Sequence, residues 1–278
     1  MLPQPQPRPS DALFLLKQHP LIAYFVLTFV LAIPFWIAGA LTNRQLLPAL
    51  PVSALMFVCP VTAAAIVVYR ANGLAGVSAL LKRSFDINRV SATIWYLPTI
   101  LLMPSIMGGS YAVLRLMGVP VPNPQLSAGT TLTLFVVFFI AAIGEELGWS
   151  GYASNLLQEH FGALRGALLL GVVWAVWHFI PLLEAQRSLG WIAWWSLGTV
   201  AYRVLITWLS NNTGRSVFVA ALFHTMINLT WQLFPINGSA YDPRVTSVIT
   251  AAVAVIVVSV WGPRKLVRDR RAPRSACV

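Results

Sequence analysis

The sequence predicts an all-α polytopic membrane protein of about eight transmembrane helices, with a four-helix core in the second half of the chain. Two observations carry this prediction. Apolar residues make up 58% of the 278 residues and charged residues 10%, and the mean hydropathy is +0.73. Soluble domains average roughly 25% charged residues. The apolar residues also collect in segments of about 20 residues, the length that crosses a hydrocarbon core.

Eight such segments account for most of the chain and leave no room for a separate soluble domain. They cover residues 20–42, 50–70, 91–117, 129–157, 163–183, 189–209, 216–234 and 245–262. Between the second and the third lies GLAGVSALLKRSFDINR. Its leucines and basic residues predict a short interfacial amphipathic helix.

The chain divides into four parts. Residues 1–19 are rich in proline and are predicted to form a disordered tail. Residues 20–128 hold the N-terminal transmembrane helices and the interfacial helix, residues 129–234 form the core, and residues 235–278 contain the last helix and a basic tail. The N-terminal tail has no small-residue cleavage site, so we expect the first span, rather than a cleaved signal peptide, to direct insertion.

The basic residues predict the orientation in the lipid bilayer. If the eight segments alternate across the membrane, fourteen Lys and Arg residues fall on one side and four on the other. Basic residues are retained on the cytoplasmic side. We therefore expect both termini to be cytoplasmic, in the plasma membrane. The net charge of +11 is spread between the spans and over the tail, which argues against nucleic acid as a partner.

Four places interrupt the apolar pattern of the spans with ionisable or amide side chains. They are Glu145 with Glu146, His178, Arg203, and His224 with Asn228. A charge at the centre of a membrane helix costs roughly 2.5–3.5 kcal/mol on insertion scales, so such residues are candidates for function. Structural roles are the alternative: helix capping or ion pairing for the carboxylates, and hydrogen bonds between helices for the histidines and Asn228.

These residue types can hydrolyse a peptide bond in two ways. A glutamate and a histidine can activate water as general base and proton shuttle, while a second histidine and an asparagine donate hydrogen bonds to the oxyanion. Alternatively, Glu145, His178 and His224 could bind a catalytic zinc ion. The sequence has no HExxH motif and no serine or cysteine nucleophile motif, and Cys59 and Cys277 lack metal-ligand spacing.

Three motifs in chain order resemble the CAAX protease and bacteriocin-processing (Abi) family of intramembrane endopeptidases. The family carries EExxxR, then an aromatic residue four positions before a histidine, then HxxxN, each on a membrane helix. Here they are EELGWSG from Glu145, WAVWH ending at His178, and HTMIN from His224 to Asn228. The resemblance covers about residues 129–234, a protease-like transmembrane core.

The resemblance implies a role for each matching residue. Glu145 would activate the water with His178 as its partner, His224 and Asn228 would stabilise the oxyanion, and Glu146 would support them. Family members have been described both as metalloproteases and as metal-independent glutamate proteases, so the cofactor is left open between a divalent metal such as zinc and none.

The sequence departs from the family at Ser150, where the motif has arginine. Arg203 is a candidate for the missing cation. The departure leaves the cleavage of prenylated substrates unsupported, so we expect a peptide or membrane-protein substrate. Two other classes stay open, namely a non-catalytic membrane immunity or scaffold protein on the same fold, and a transporter with polar residues at mid-depth.

Overall fold

A computed structural model describes residues 19–238 and 241–268. All but the last residue of the N-terminal tail predicted for residues 1–19 lies outside the described residues, as does the end of the basic tail. Ten helices are described in these ranges: α1 Pro20–Thr42, α2 Val58–Lys82, α3 Tyr96–Leu116, α4 Ala128–Gly148, α5 Ser154–Phe161, α6 Ala163–Trp177, α7 Phe179–Glu184, α8 Leu189–Asn212, α9 Val217–Leu233 and α10 Pro243–Trp261. A two-stranded hairpin, β1 Gln45–Leu47 and β2 Leu50–Pro51, joins α1 to the turn before α2.

The all-α polytopic class is confirmed. Among the described residues, six helical segments, which contain α1, α2, α3, α4, α8 and α10, are long and apolar enough to cross a membrane. Two shorter apolar helices, α6 and α9, fall on the remaining two predicted segments. They are short because His178 and Pro181 end α6 at Trp177, and because α9 lies between the connections at residues 213–216 and 234–238.

The predicted interfacial helix is continuous with the second span. Helix α2 runs to Lys82, and Gly73, with φ 61° and ψ −159°, breaks it into two helical parts. A positive φ of this size is readily accessible only to glycine. The second part, residues 74–82, is the segment that the leucines and basic residues predicted.

One end of the bundle collects the basic connections, and we call it the basic end. Arg83 Nη2 donates to the carbonyl of Arg215 at 2.7 Å, and the nearby carboxylate of Asp86 accepts from Ser216 Oγ at 2.6 Å. The backbone N–H of Ala163 donates to the carbonyl of Arg264 at 2.8 Å. The connections after α2, α5, α8 and α10 therefore meet at one end.

The remaining connections meet at the opposite end, which we call the hairpin end. Gln125 N donates to the carbonyl of Pro235 at 3.1 Å, and Gln232 Nε2 donates to the carbonyl of Pro48 at 3.4 Å. The rings of Trp191 and Tyr241 lie 5.9 Å apart. Connections that alternate between two ends are what eight crossings require.

Two glycines let α4 approach its neighbours closely on either side of the glutamate pair. A Cβ on Gly148 would lie 2.5 Å from the carbonyl oxygen of Pro60, and one on Gly144 would lie 3.0 Å from that of Phe57. Small residues four apart allow membrane helices to pack with their backbones in near contact. This packing fixes the height and rotation of α4, and with them the positions of Glu145 and Glu146.

Candidate active site

The four helices α4, α6, α8 and α9 surround a cavity of about 340 Å³. Four of the five residues expected at the site line it, namely Glu145, His178, His224 and Asn228. Glu146 is fully buried behind the wall, hydrogen-bonded to His224. The structure therefore brings together all five, from three membrane helices that are separate in sequence.

Glu145 is held by one oxygen and leaves the other available. Its Oε2 accepts hydrogen bonds from Trp174 Nε1 at 2.9 Å and from Trp149 Nε1 at 3.3 Å. Its Oε1 has no hydrogen bond from a described residue. A π-helical turn, Trp149–Ala153, follows α4 directly. Such turns are frequent at functional sites, and this one begins with an indole that binds Glu145.

His178 occupies the point where α6 ends, three residues before Pro181. Its Nδ1 lies 2.8 Å from the carbonyl oxygen of Trp174. A carbonyl only accepts, so Nδ1 carries the proton and Nε2 of the neutral ring is an acceptor. The imidazole lies between the rings of Trp177 and Trp195, with centroid distances of 4.9 and 5.4 Å. These contacts fix the ring plane against the cavity.

Trp174 contacts four of the polar side chains of the site. Besides its bond to Glu145, its ring lies 5.6 Å from His178 and 5.0 Å from His224, both edge-on. The guanidinium of Arg203 lies 4.3 Å above its centroid, within the range of cation–π attraction. The aromatic position of the second motif therefore orients groups from four helices.

Glu146 forms a buried ion pair with Arg203 that uses both carboxylate oxygens. Arg203 Nη1 lies 2.9 Å from Oε2 and Nη2 lies 3.0 Å from Oε1. Oε1 also lies 3.0 Å from His224 Nδ1, and Oε2 accepts from Ser150 Oγ. Such saturation is what a carboxylate away from water needs. Glu146 is therefore a structural anchor with no free oxygen for chemistry.

The position of Arg203 accounts for the departure at Ser150. Arg203 Nη1 lies 3.5 Å from Ser150 Oγ. The guanidinium of Arg203, which comes from α8, therefore lies where the side chain of an arginine at position 150 would also lie. The candidate cation named from the sequence is thus in contact with the glutamate pair. Ser150 itself donates a hydrogen bond to Glu146.

His224 and Asn228 lie on one face of α9, as their spacing predicted. Because Glu146 is paired with Arg203 and ionised, Nδ1 of His224 donates to it. Nε2 is on the other side of the imidazole ring and is not bound to Glu146. The amide of Asn228 has no hydrogen bond to a described residue and lines the cavity.

The proposed zinc ligands do not form a metal site in this arrangement. Within residues 19–238 and 241–268, no group of three or more His, Cys, Asp or Glu side chains is placed to hold a metal ion. A catalytic zinc needs three protein ligands and an open position, and the described side chains do not supply such a set.

Sequence reasoning missed the two tryptophans that hold Glu145. The sequence places Trp149 four residues after Glu145, a spacing at which side chains of a helix are in contact. Trp174 was noticed for its position one turn before His178, but its bond to Glu145 joins residues 29 apart in sequence. Only the packing of α4 against α6 brings that indole to the carboxylate.

The fold and the cavity define the protein as a polytopic membrane protein with a glutamate–histidine centre inside its helical bundle. A family model described as "Type II CAAX prenyl endopeptidase Rce1-like" matches residues 127–230. A relative named CAAX prenyl protease 2, from Methanococcus maripaludis, is 25% identical over 254 residues, which cover 84% of this chain and 92% of that protein. Both matches are to CAAX prenyl proteases, which confirms the resemblance of the motifs and supports a membrane-embedded protease.

We predict that Ser150 and Arg203 can exchange roles. Arg203→Ser leaves Glu146 buried without its cation, a change that typically costs about 3–5 kcal/mol, so its thermal unfolding temperature in detergent should fall sharply. Adding Ser150→Arg to Arg203→Ser returns a guanidinium to the same carboxylate. The double variant should recover much of the loss.

The single variant Ser150→Arg is the matched control. It places a second guanidinium beside one carboxylate and should be destabilised on its own. A double variant no more stable than Arg203→Ser would show that position 150 cannot replace Arg203.

Proposed function

We propose that the protein is an intramembrane endopeptidase that hydrolyses a peptide bond of a membrane-associated peptide or protein with water activated by Glu145 and His178. One observation carries the proposal. Glu145 lines the cavity with one oxygen fixed by two indole N–H groups and the other free of hydrogen bonds from described residues. An oriented carboxylate with a free oxygen in a cavity large enough to admit water has the geometry of a general base.

The hydrolytic step follows from the two acceptors. Glu145 Oε1 accepts a proton from a water in the cavity as the water oxygen attacks the peptide carbonyl. Nε2 of His178, an acceptor in the neutral ring, can bind the second hydrogen of the same water and orient its lone pair. The proton taken by Glu145 is then available for the amine that leaves as the C–N bond breaks.

The negative charge on the carbonyl oxygen needs donors on the other side of the cavity. His224 and Asn228, both from α9, would supply these donors from the imidazole ring and from the amide N–H groups. Donors fixed before the reaction act most strongly where water is excluded. Nδ1 of His224 is hydrogen-bonded to the Glu146 carboxylate, so the Glu146–Arg203 pair orients this half of the site without touching the substrate.

Experiments can distinguish hydrolysis from the two other functions that the sequence left open. A non-catalytic immunity or scaffold protein would use the same buried network for stability alone, and its effect would survive loss of the Glu145 carboxylate. A transporter would move solute through the cavity of about 340 Å³. The free oxygen of Glu145 beside an accepting imidazole nitrogen favours hydrolysis over either.

We propose that the protein lies in the plasma membrane with both termini cytoplasmic. The basic end holds Arg83, Arg89, Arg215 and Arg264, and the positive-inside rule places it in the cytoplasm. The cavity extends the other way, to Leu46–Pro51 and residues 187 and 241 of the hairpin end. Substrates would then enter from the extracytoplasmic side, where cytoplasmic prenylated proteins are absent.

Removal of the Glu145 carboxylate tests the mechanism. Glu145→Gln keeps the size of the side chain but removes the base, so hydrolysis of a membrane-anchored peptide should fall by roughly 10²–10⁴-fold. His178→Ala should act similarly, and the double variant should be far less than additive because both act on one water. Rates of product formation by mass spectrometry, with purified protein in detergent, provide the measurement.

Leu169, exposed on the outer surface of α6, offers a control, since Leu169→Ala should leave the rate unchanged. Insertion and thermal unfolding temperature should be retained in Glu145→Gln. Equal cleavage by the wild-type and Glu145→Gln proteins would end the proposed mechanism.

Removal of metal ions distinguishes metal-independent hydrolysis from metal-dependent hydrolysis. Because the described side chains form no three-ligand cluster, we expect activity to persist after dialysis against EDTA and 1,10-phenanthroline. Metal content by plasma mass spectrometry and peptide hydrolysis are measured on the same samples. Activity that disappears with the metal and returns with zinc would refute the metal-independent form.

The orientation is tested by a reporter after Val278. A fusion to green fluorescent protein should fluoresce, whereas alkaline phosphatase at the same position should be inactive, because the phosphatase folds only outside the cytoplasm. The opposite pattern would place the basic end and the C-terminus outside, and substrate entry on the cytoplasmic side.

A further inference from the structure

Arg187 is a cation at the cavity without an acidic partner. Among the described residues that line the cavity, it is the only Lys or Arg. Its side chain is half-buried, its guanidinium lies 4.7 Å above the ring of Trp191, and its Nε is buried without a hydrogen bond. Partial burial lowers the pKa of Arg187 from its usual value. The cation is therefore held in place by an aromatic ring and left unneutralised.

The acidic residues of the hairpin end are turned away from Arg187. Of the carboxylates in the described ranges, Glu184 and Asp242 lie at this end. Glu184 accepts a hydrogen bond from Ser53 Oγ, and Gly39 of α1 leaves the space that its carboxylate fills. Asp242 is bound by Arg244, whose Nη2 lies 2.7 Å from Oδ2. Neither carboxylate neutralises the guanidinium that lines the cavity.

Apart from the acceptors of Glu145 and His178 that are assigned to the water, the unpaired buried polar atoms of the described cavity residues are donors. Trp177 Nε1 and Trp231 Nε1 are buried without a hydrogen-bond partner, as is Arg187 Nε, and all three residues line the cavity. Trp177 is itself fully buried. A buried donor without a partner is unfavourable unless a ligand satisfies it. A ligand rich in acceptor oxygens would satisfy these donors.

We propose that Arg187 determines specificity by binding a carboxylate of the substrate peptide, while Trp177 and Trp231 donate to its main-chain carbonyls. The proposal rests on the endopeptidase function proposed above and names the substrate class of the same cavity. Guanidinium groups bind carboxylates in a bidentate, planar manner, and stacking on Trp191 holds this one ready. The carboxylate comes either from the C-terminus of the peptide or from an Asp or Glu side chain.

The position of Arg187 sets where the anionic group must be. Glu145 and His178 lie in the part of the cavity between α4 and α6, and Arg187 lies at the hairpin end of the same cavity. A peptide whose scissile bond is at Glu145 would thus carry its carboxylate at a fixed separation from that bond. An acidic group at other separations would not reach the guanidinium.

Three series of membrane-anchored synthetic peptides test the proposal with the full-length protein in detergent. The first has a free C-terminal acid and no acidic side chain, the second is its C-terminal amide, and the third is an amide with one Asp at each position in turn. The wild-type protein should prefer the first series, or the third at one position, over the second. The preferred series identifies the source of the carboxylate.

Arg187→Gln should raise the KM for the preferred peptide about 10- to 100-fold, the range of a lost charge-assisted hydrogen bond, with kcat unchanged. The preference for that peptide over the plain amide should be lost. Arg187→Lys should retain part of the preference. Arg44→Gln is the matched control, because Arg44 is exposed at the same end and does not line the cavity.

Binding is measured separately with the Glu145→Gln protein, so that recognition and hydrolysis can fail independently. Carboxylate-dependent binding that Arg187→Gln abolishes supports the anion site even when no peptide is cleaved, an outcome that would count against the endopeptidase. Equal binding of acid and amide peptides, or equal KM values with and without Arg187, would overturn the assignment.

Discussion

The buried ion pair between Glu146 and Arg203 is the interaction on which the rest of the site depends. A carboxylate inside a membrane bundle is tolerated only when its charge and its lone pairs are satisfied. Here the partners come from separate helices, with Arg203 on α8, His224 on α9 and Ser150 in the turn after α4. Arg203 also lies over Trp174 of α6. One carboxylate therefore fixes the relative positions of all four helices around the cavity.

The two adjacent glutamates have different environments because consecutive helical residues point about 100° apart. Glu146 faces the interior of the bundle and is saturated by three partners, whereas Glu145 faces the cavity and receives two indole N–H groups on one oxygen. Gly144 and Gly148 flank the pair and let α4 approach the carbonyls of Phe57 and Pro60. Their packing fixes the rotation of α4, which decides which glutamate reaches the cavity.

The helices and the polar residues of the site could be predicted from the sequence because they depend on local patterns. Span-length apolar runs located α1 to α4, and the four-residue spacing placed His224 and Asn228 on one face. The partners of these residues could not be predicted, since the bond between Trp174 and Glu145 and the pair between Glu146 and Arg203 join different helices. Arg203 was named as a candidate only because a motif position held serine. Arg187 belongs to no sequence motif, and only the folded chain shows that it lines a cavity.

The distribution of charge links the orientation of the protein to the chemistry of its cavity. Basic residues are concentrated at one end, where backbone carbonyls of the connections accept from Arg83 and Arg89. The hairpin end is poor in cations, and there Arg244 is bound by Asp242 and Arg115 by a backbone carbonyl. Arg187 has an unpaired guanidinium at that end, and no ion pair with a described carboxylate competes with its binding of a substrate carboxylate. The hydrogen-bonding groups of the cavity wall are therefore divided between two tasks. The acceptors of Glu145 and His178 bind the water that acts as nucleophile. The remaining polar groups are mainly donors, and they bind the oxygens of the peptide.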